Sequence, residues 1–194
     1  MLKWALLVLI TLLFVMFLSM NMGSEDPYLK AYMDGVVILD KVPDPEKYAV
    51  FFDIDATLLM PGTKLDSARY FYKGGDLLQP IPYMIKLIQR AKKMGYHVVI
   101  LTARPENSVN RQWSVENLYA VGVTFDELHF SPYKPDFREY WIATKGMPIL
   151  LTVGDQPGDV RGSRRGGYWG MLLPSEHGPY RLVEPEQTVS AAFV

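Results

Sequence analysis

The sequence predicts an α/β fold built on a parallel sheet, and three observations predict it. Four short apolar runs, at 49–52, 97–101, 128–130 and 147–153, contain aromatic and β-branched residues and are bounded by polar ones. Such continuous runs read as strands buried on both faces, as a parallel sheet requires. Between them lie stretches with helical spacing, notably 82–94 with Met84, Ile85, Ile88 and Ala91 on one face and Gly95 as a C-terminal stop,. Each run also ends in a group capable of chemistry, at the carboxyl edge where open α/β sheets bind ligands.

The chain has 194 residues, enough for one domain plus an appendage and a sizeable core,. A net charge of −1 gives no electrostatic footprint for nucleic acid,. Cysteine is absent, which excludes disulfides, thiolate zinc sites and cysteine nucleophiles,.

Residues 4–22 are almost wholly apolar, with Lys3 before them and Glu25 and Asp26 after. At helical rise the span nearly crosses a bilayer's hydrocarbon core. Segment 1–22 is therefore expected to be a transmembrane signal anchor, with a cleaved signal peptide or a buried helix as alternatives. The stretch 19–23 lacks a small-x-small cleavage pattern, which favours the anchor,. One lysine before the span places the following domain on the exoplasmic side of a single-pass membrane protein, or outside the cell altogether if the signal is cleaved,. Segment 23–47, with Pro27, Pro43 and Pro45, is expected to be a linker lying on the domain, in which 36–39 forms an edge strand or a packed segment,.

The main domain is expected at 48–180. Its first strand ends in Asp53, Asp55 and Thr57. Two acids at i and i+2 on extended backbone point the same way, and crowding them raises free energy unless a cation or proton compensates. A metal is one reading; a capped turn is the other. Residues 58–82 make a long connection containing Tyr70, Tyr72, Lys64 and Lys73. That length suits a small flap over the active edge and is too short for an independent cap domain; an ordinary surface loop is the competing reading.

The second strand starts at His97, read as structural, and ends in Thr102-Ala-Arg104 before a helix at 107–121. A hydroxyl and a guanidinium beside a helix N-terminus suit oxyanion binding. Val109, Trp113, Val115, Leu118 and Tyr119 are the candidate core of that helix. The third strand leads to Lys134, in a loop before a helix from about Asp136 to Lys145, where a solvated surface lysine is the competing reading. The fourth ends in Gly154-Asp-Gln-Pro-Gly-Asp159, carboxylates four apart with glycines allowing close approach,. A last strand falls near 168–173, and 181–194 is a tail covering an edge. Residues 161–167 are basic and glycine-rich but too short for a nucleic-acid site. His97, His129 and His177 lack metal-ligand spacing, and no nucleophile elbow or Walker motif occurs,.

Taken together, Asp53-Ile-Asp-x-Thr-Leu-Leu59, Thr102-x-Arg-Pro105, Tyr133-Lys134 with Arg138, Val153-Gly-Asp-Gln156 and Leu173-Pro174 resemble the haloacid dehalogenase (HAD) superfamily, in its subfamily IIIB acid phosphatase branch, over about 48–180. The branch includes class B acid phosphatases and vegetative storage proteins. The resemblance implies a three-layer Rossmann-like fold with a minimal cap. It implies Asp53 as nucleophile, Asp55 as general acid and base, Thr102 on the phosphoryl oxygens and Lys134 neutralising Asp53 and the phosphoryl group. Thr57, Arg104 and Lys73 would contact substrate, and Asp53, Asp55, Asp155 and Asp159 would hold Mg2+. Lys145 is a rival for Lys134. Ala56 stands where many relatives have Glu, and Pro157-Gly158 interrupts the stretch before Asp159, which leaves that residue's role open. The expected activity is Mg2+-dependent hydrolysis of small phosphomonoesters, nucleotides among them. A non-catalytic storage or binding protein and a phosphotransferase are the alternatives.

Overall fold

A computed structural model describes residues 26–60, 78–162 and 167–185. The apolar 4–22 stretch, Lys64, Lys73 and the tyrosines of the long connection lie outside the described residues. Among the described residues no helix is long and apolar enough to cross a membrane.

Helix α1 (Pro27–Leu39) comes first, followed by a 3-10 turn (Pro45–Lys47) and β1 (Ala49–Phe52). Next are the short strands β2 (Leu59–Met60) and β3 (Gln79–Pro80), then α2 (Pro82–Met94), β4 (His97–Thr102), α3 (Ser108–Ala120) and β5 (Glu127–Phe130). The chain continues through α4 (Lys134–Lys145), β6 (Ile149–Gly154), α5 (Pro157–Val160), β7 (Trp169–Leu172) and β8 (Arg181–Val183). The main sheet has the order β5-β4-β1-β6-β7-β8. Its first five strands are parallel, and β8 pairs antiparallel with β7. Strand β1 is thus flanked on both sides, and every β1 residue is buried.

Alternation along β1 makes three layers. Val50 and Phe52 point into a core shared with α1, α2 and Leu118 of α3. Ala49 and Phe51 point to the opposite face, against Trp141 of α4 and Tyr168. The ring of Trp141 meets Phe51 edge-on at 5.3 Å between centroids, an arrangement aromatic quadrupoles favour,.

Most of the lead-in is a helix, and its 36–39 run is a packed segment of that helix and not an edge strand. Asp26 caps it by accepting the Tyr28 N–H at 2.9 Å, and Pro27 occupies the first turn, where a missing N–H costs nothing,. Ala31, Gly35, Ile38 and Leu39 are its buried face. Gly35 lets α1 pack closely on α2, since a Cβ there would stand 2.7 Å from Leu87 Cδ2. At the far end the Tyr96 hydroxyl donates to the Leu39 carbonyl at 2.5 Å.

Further boundaries also differ from expectation. Helix α4 begins at Lys134 itself, because Pro135 fixes φ in the first turn,. In α3, Asn107 is the cap, and Val109 and Tyr119 are exposed while Asn110 and Ser114 are buried. Residues 181–183, expected in the tail, supply β8. The long connection after β1 leaves along β2 and returns along β3, an antiparallel ribbon pairing Leu59 with Pro80.

Candidate active site at the carboxyl edge of β1

Asp53 follows the last residue of β1, its N–H donating to the Val153 carbonyl of β6 at 3.0 Å, so its backbone is fixed by the sheet. The chain then turns sharply. The N–H groups of Leu58 and Leu59 both reach the Ile54 carbonyl at 2.9 Å, and Ala56 adopts a left-handed φ of 55°. This turn places Asp55 at its start and buries Thr57, whose hydroxyl has no hydrogen-bond partner among the described residues.

Lys134 extends from the first turn of α4 into the space beside Asp53. Its Nζ lies 2.8 Å from Asp53 Oδ1 and 2.5 Å from Asp159 Oδ1. Asp159 is aimed by a local motif, since its Oδ2 accepts the Gln156 N–H at 3.0 Å in a capping box that opens α5,. Pro157 is compatible with that geometry because it occupies a first-turn position,. Gly154 is required by close approach: a Cβ there would fall 2.2 Å from Asp159 side-chain atoms.

Asp53, Asp155 and Asp159 are all buried and can each offer an oxygen, with these atoms within 4.8 Å of one another. Burial pushes the Asp53 carboxyl up; Lys134 opposes this, Asp159 and Asp55 add to it, and the result is about 7. Asp155 is likewise raised, chiefly by burial. Burial alone would lower Lys134, but Asp53 and Asp159 hold it above its ordinary value. Lys134 contacts Asp53 and Asp159 with Asp155 beside them, so three carboxyls gather around one ammonium. An all-carboxylate oxygen set fits a hard divalent ion such as Mg2+.

Asp55, expected among the metal ligands, is engaged elsewhere. Arg104 donates to it bidentately, Nε to Oδ2 at 2.8 Å and Nη2 to Oδ1 at 2.6 Å, and its Nη1 reaches Ser114 Oγ at 2.9 Å. Among the described residues Asp55 is not in the carboxylate cluster. Arg104, expected to contact substrate, is buried and pairs with Asp55. Thr102 is buried at the end of β4 and accepts the Arg104 N–H at 3.3 Å. Lys145 pairs with Glu127 at 3.1 Å, whereas Lys134 is the lysine that contacts the acids at the end of β1 among the described residues. His97 and His129 also contact Glu127, at 3.2 and 2.7 Å.

Sequence reasoning missed the support beneath the site. Arg138 is buried, donating Nε to Tyr168 Oη at 2.6 Å and Nη2 to the carbonyls of Gly158 and Arg161 at 2.6 and 2.8 Å. It thereby ties α4 to the loop carrying Asp159. Its spacing four residues after Lys134 was the only signal. A separate groove of about 770 Å³ between β3, α2 and α3 shares no lining residue with the carboxylates.

The profile of the HAD superfamily, subfamily IIIB (acid phosphatase), matches residues 28–184. The chain belongs to this subfamily. The match takes in α1 and β8, so both are part of the subfamily IIIB domain. Membership points to phosphomonoester hydrolysis. No curated protein sequence matches significantly. Two solved structures are similar to this subfamily IIIB chain. "Structure of Pnkp1/Rnl/Hen1 complex" has a TM-score of 0.48 at 20% identity, over 61% of this chain and 42% of that one. "Structure of the Pnkp1/Rnl/Hen1 RNA repair complex" has a TM-score of 0.45 at 20% identity, over 58% and 37%. The chain therefore spans less than half the length of either.

Proposed function

We propose that the protein is a Mg2+-dependent phosphomonoesterase that works through an aspartyl-phosphate on Asp53. The observation that carries this reading is the Lys134 ammonium set between Asp53 and Asp159, beside Asp155, at the carboxyl edge of the central strand. Asp53 Oδ attacks phosphorus while the ester oxygen leaves, which splits one difficult displacement into two easier ones. Lys134 holds Asp53 in place and balances the charge of the incoming phosphoryl group. Asp55, oriented by Arg104 and Ser114, delivers a proton to the leaving oxygen and later takes one from the attacking water,. Thr102 and the unpartnered hydroxyl of Thr57 supply hydrogen bonds to phosphoryl oxygens, and Lys73 is assigned to substrate from the sequence alone. Asp53, Asp155 and Asp159 would hold Mg2+, which offsets repulsion between an anionic nucleophile and an anionic substrate.

The substrate class is small phosphomonoesters, nucleotides included. Segment 1–22 is proposed as a membrane anchor with the catalytic domain on the exoplasmic side, or as a cleaved signal that leaves the enzyme secreted. The deciding experiment is hydrolysis of an aryl phosphate by the full-length chain with Mg2+, with chelator, and with Asp53→Asn. Turnover is expected to require Mg2+ and to fall by at least about 1,000-fold in the variant. An Asp53→Asn protein as active as the wild type would overturn the mechanism.

A further inference from the structure

The loop bearing Asp155 and Asp159 is tied to a second loop, the turn that follows β7. The Leu173 N–H donates to the Gly154 carbonyl at 2.8 Å, and Ser175 Oγ donates to the Asp155 carbonyl at 2.8 Å. Ser175 and Gly178 exchange backbone hydrogen bonds at 3.0 and 3.1 Å, which closes a tight turn and projects His177 back toward the metal loop. There His177 Nε2 lies 2.6 Å from Gln156 Oε1, and Gln156 Nε2 lies 2.7 Å from Asp155 Oδ2.

The chemistry of these groups fixes the direction of the chain. An ionised Asp155, the form that binds a cation, accepts only, so Gln156 presents its amide N–H to Asp155 and its oxygen to His177,. An amide oxygen also accepts only, so His177 must carry a proton on Nε2. The hydrogen bonds therefore run from His177 through Gln156 to Asp155. Glu176, 3.7 Å from His177 Nε2, is the other charged group at this ring.

We propose that Gln156 and His177 are positioning residues for the divalent-cation site. Gln156 holds one oxygen of Asp155, which stops the carboxylate rotating and determines which oxygen it presents to a cation. His177 acts one step further out, by preventing the Gln156 amide from turning over. Hydrogen-bond partners of metal-binding carboxylates typically contribute 10–100-fold in affinity. The proposal rests on the metal reading of Asp53, Asp155 and Asp159.

The test is calorimetric titration of Mg2+ into the metal-stripped, full-length protein in mild detergent, with melting of each metal-free variant measured alongside. Gln156→Ala is expected to weaken Mg2+ binding about 10–100-fold. His177→Ala, on an exposed turn that tolerates truncation, is expected to weaken it by at least about 3-fold, and His177→Gln, which keeps a donor, to recover most of that loss,. Because His177 acts only through Gln156, the double variant binds no more weakly than Gln156→Ala alone. Metal-free melting of His177→Ala matches the wild type. Asp155→Asn separates the two readings. If it loses Mg2+ affinity while Gln156→Ala and His177→Ala bind normally, or if their losses simply add, the positioning chain is overturned. If Asp155→Asn binds Mg2+ as the wild type does, the metal reading itself fails.

Discussion

At residue scale, the site is a set of charges that the chain cannot leave uncompensated. Lys134 is the only cation in contact with Asp53 and Asp159 among the described residues, so Lys134→Met leaves buried acids facing one another. The variant is expected to be less stable and to lose at least about 100-fold in kcat, measured on an aryl phosphate. Thr57 offers the opposite trade. Its buried hydroxyl lacks a partner among the described residues, so Thr57→Val is expected to leave the melting temperature unchanged or raise it, and on the proposed function to lower kcat/KM through loss of a phosphoryl hydrogen bond,. Ala56 adopts a left-handed backbone, and Ala56→Gly is expected to gain about 0.5–1 kcal/mol in denaturant unfolding,.

At element scale, α1 is part of the core. It covers Leu87 and the α2 face with Ala31, Gly35, Ile38 and Leu39. A chain starting at Asp26 is expected to unfold cooperatively in urea, whereas one starting at Lys41 exposes that face and aggregates or melts without a clear transition. The strands were legible in the sequence because burial on both faces leaves uninterrupted apolar runs, and α2 was legible because its apolar residues repeat at helical spacing. Helix α1 was not. Its Val36-Val-Ile-Leu39 run has strand-like composition, and only packing against α2 and the Asp26 cap make it helical,. The carboxylates, Thr102 and Lys134 could be named from the ends of strands, since topology alone brings those ends to one edge. The bidentate pairing of Arg104 with Asp55 could not, because it depends on side-chain reach between loops that are far apart in sequence. The roles of Arg138, Gln156 and His177 are hidden for the same reason.

At the scale of the whole molecule, the carboxylate cluster couples stability to pH and to metal. Without a metal, burial holds the Asp53 carboxyl well above the ordinary carboxylate range, at about 7, against about 3.9 for an aspartate in an unfolded chain,. The folded state therefore binds the extra proton between those values, and stability must fall as pH rises through that window. Asp126 and Glu127 act the other way. Burial would raise them, but hydrogen bonds from Lys92 to Asp126, and from His129, Lys145 and His97 to Glu127, hold them below ordinary values, so their contribution is lost only in acid. The metal-free protein is thus expected to melt higher at pH 5 than at pH 7.5, each kcal/mol lost lowering Tm by about 2–4 °C. Mg2+ at about 100 times its Kd is expected to restore about 2.7 kcal/mol at pH 7.5 and to flatten the profile, which calorimetry with and without chelator would measure.

The strand order has a consequence for how the protein comes into being. The sheet places β1 between β4 and β6, so the first of the described strands must wait for partners that leave the ribosome much later. Asp53 stands near the start of the domain and Asp159 near its end, and the two acids meet only when β6 and α5 have closed the centre of the sheet. The cluster is therefore a property of the completed sheet alone, since a chain that stops before Asp159 lacks the acid that shares Lys134 with Asp53.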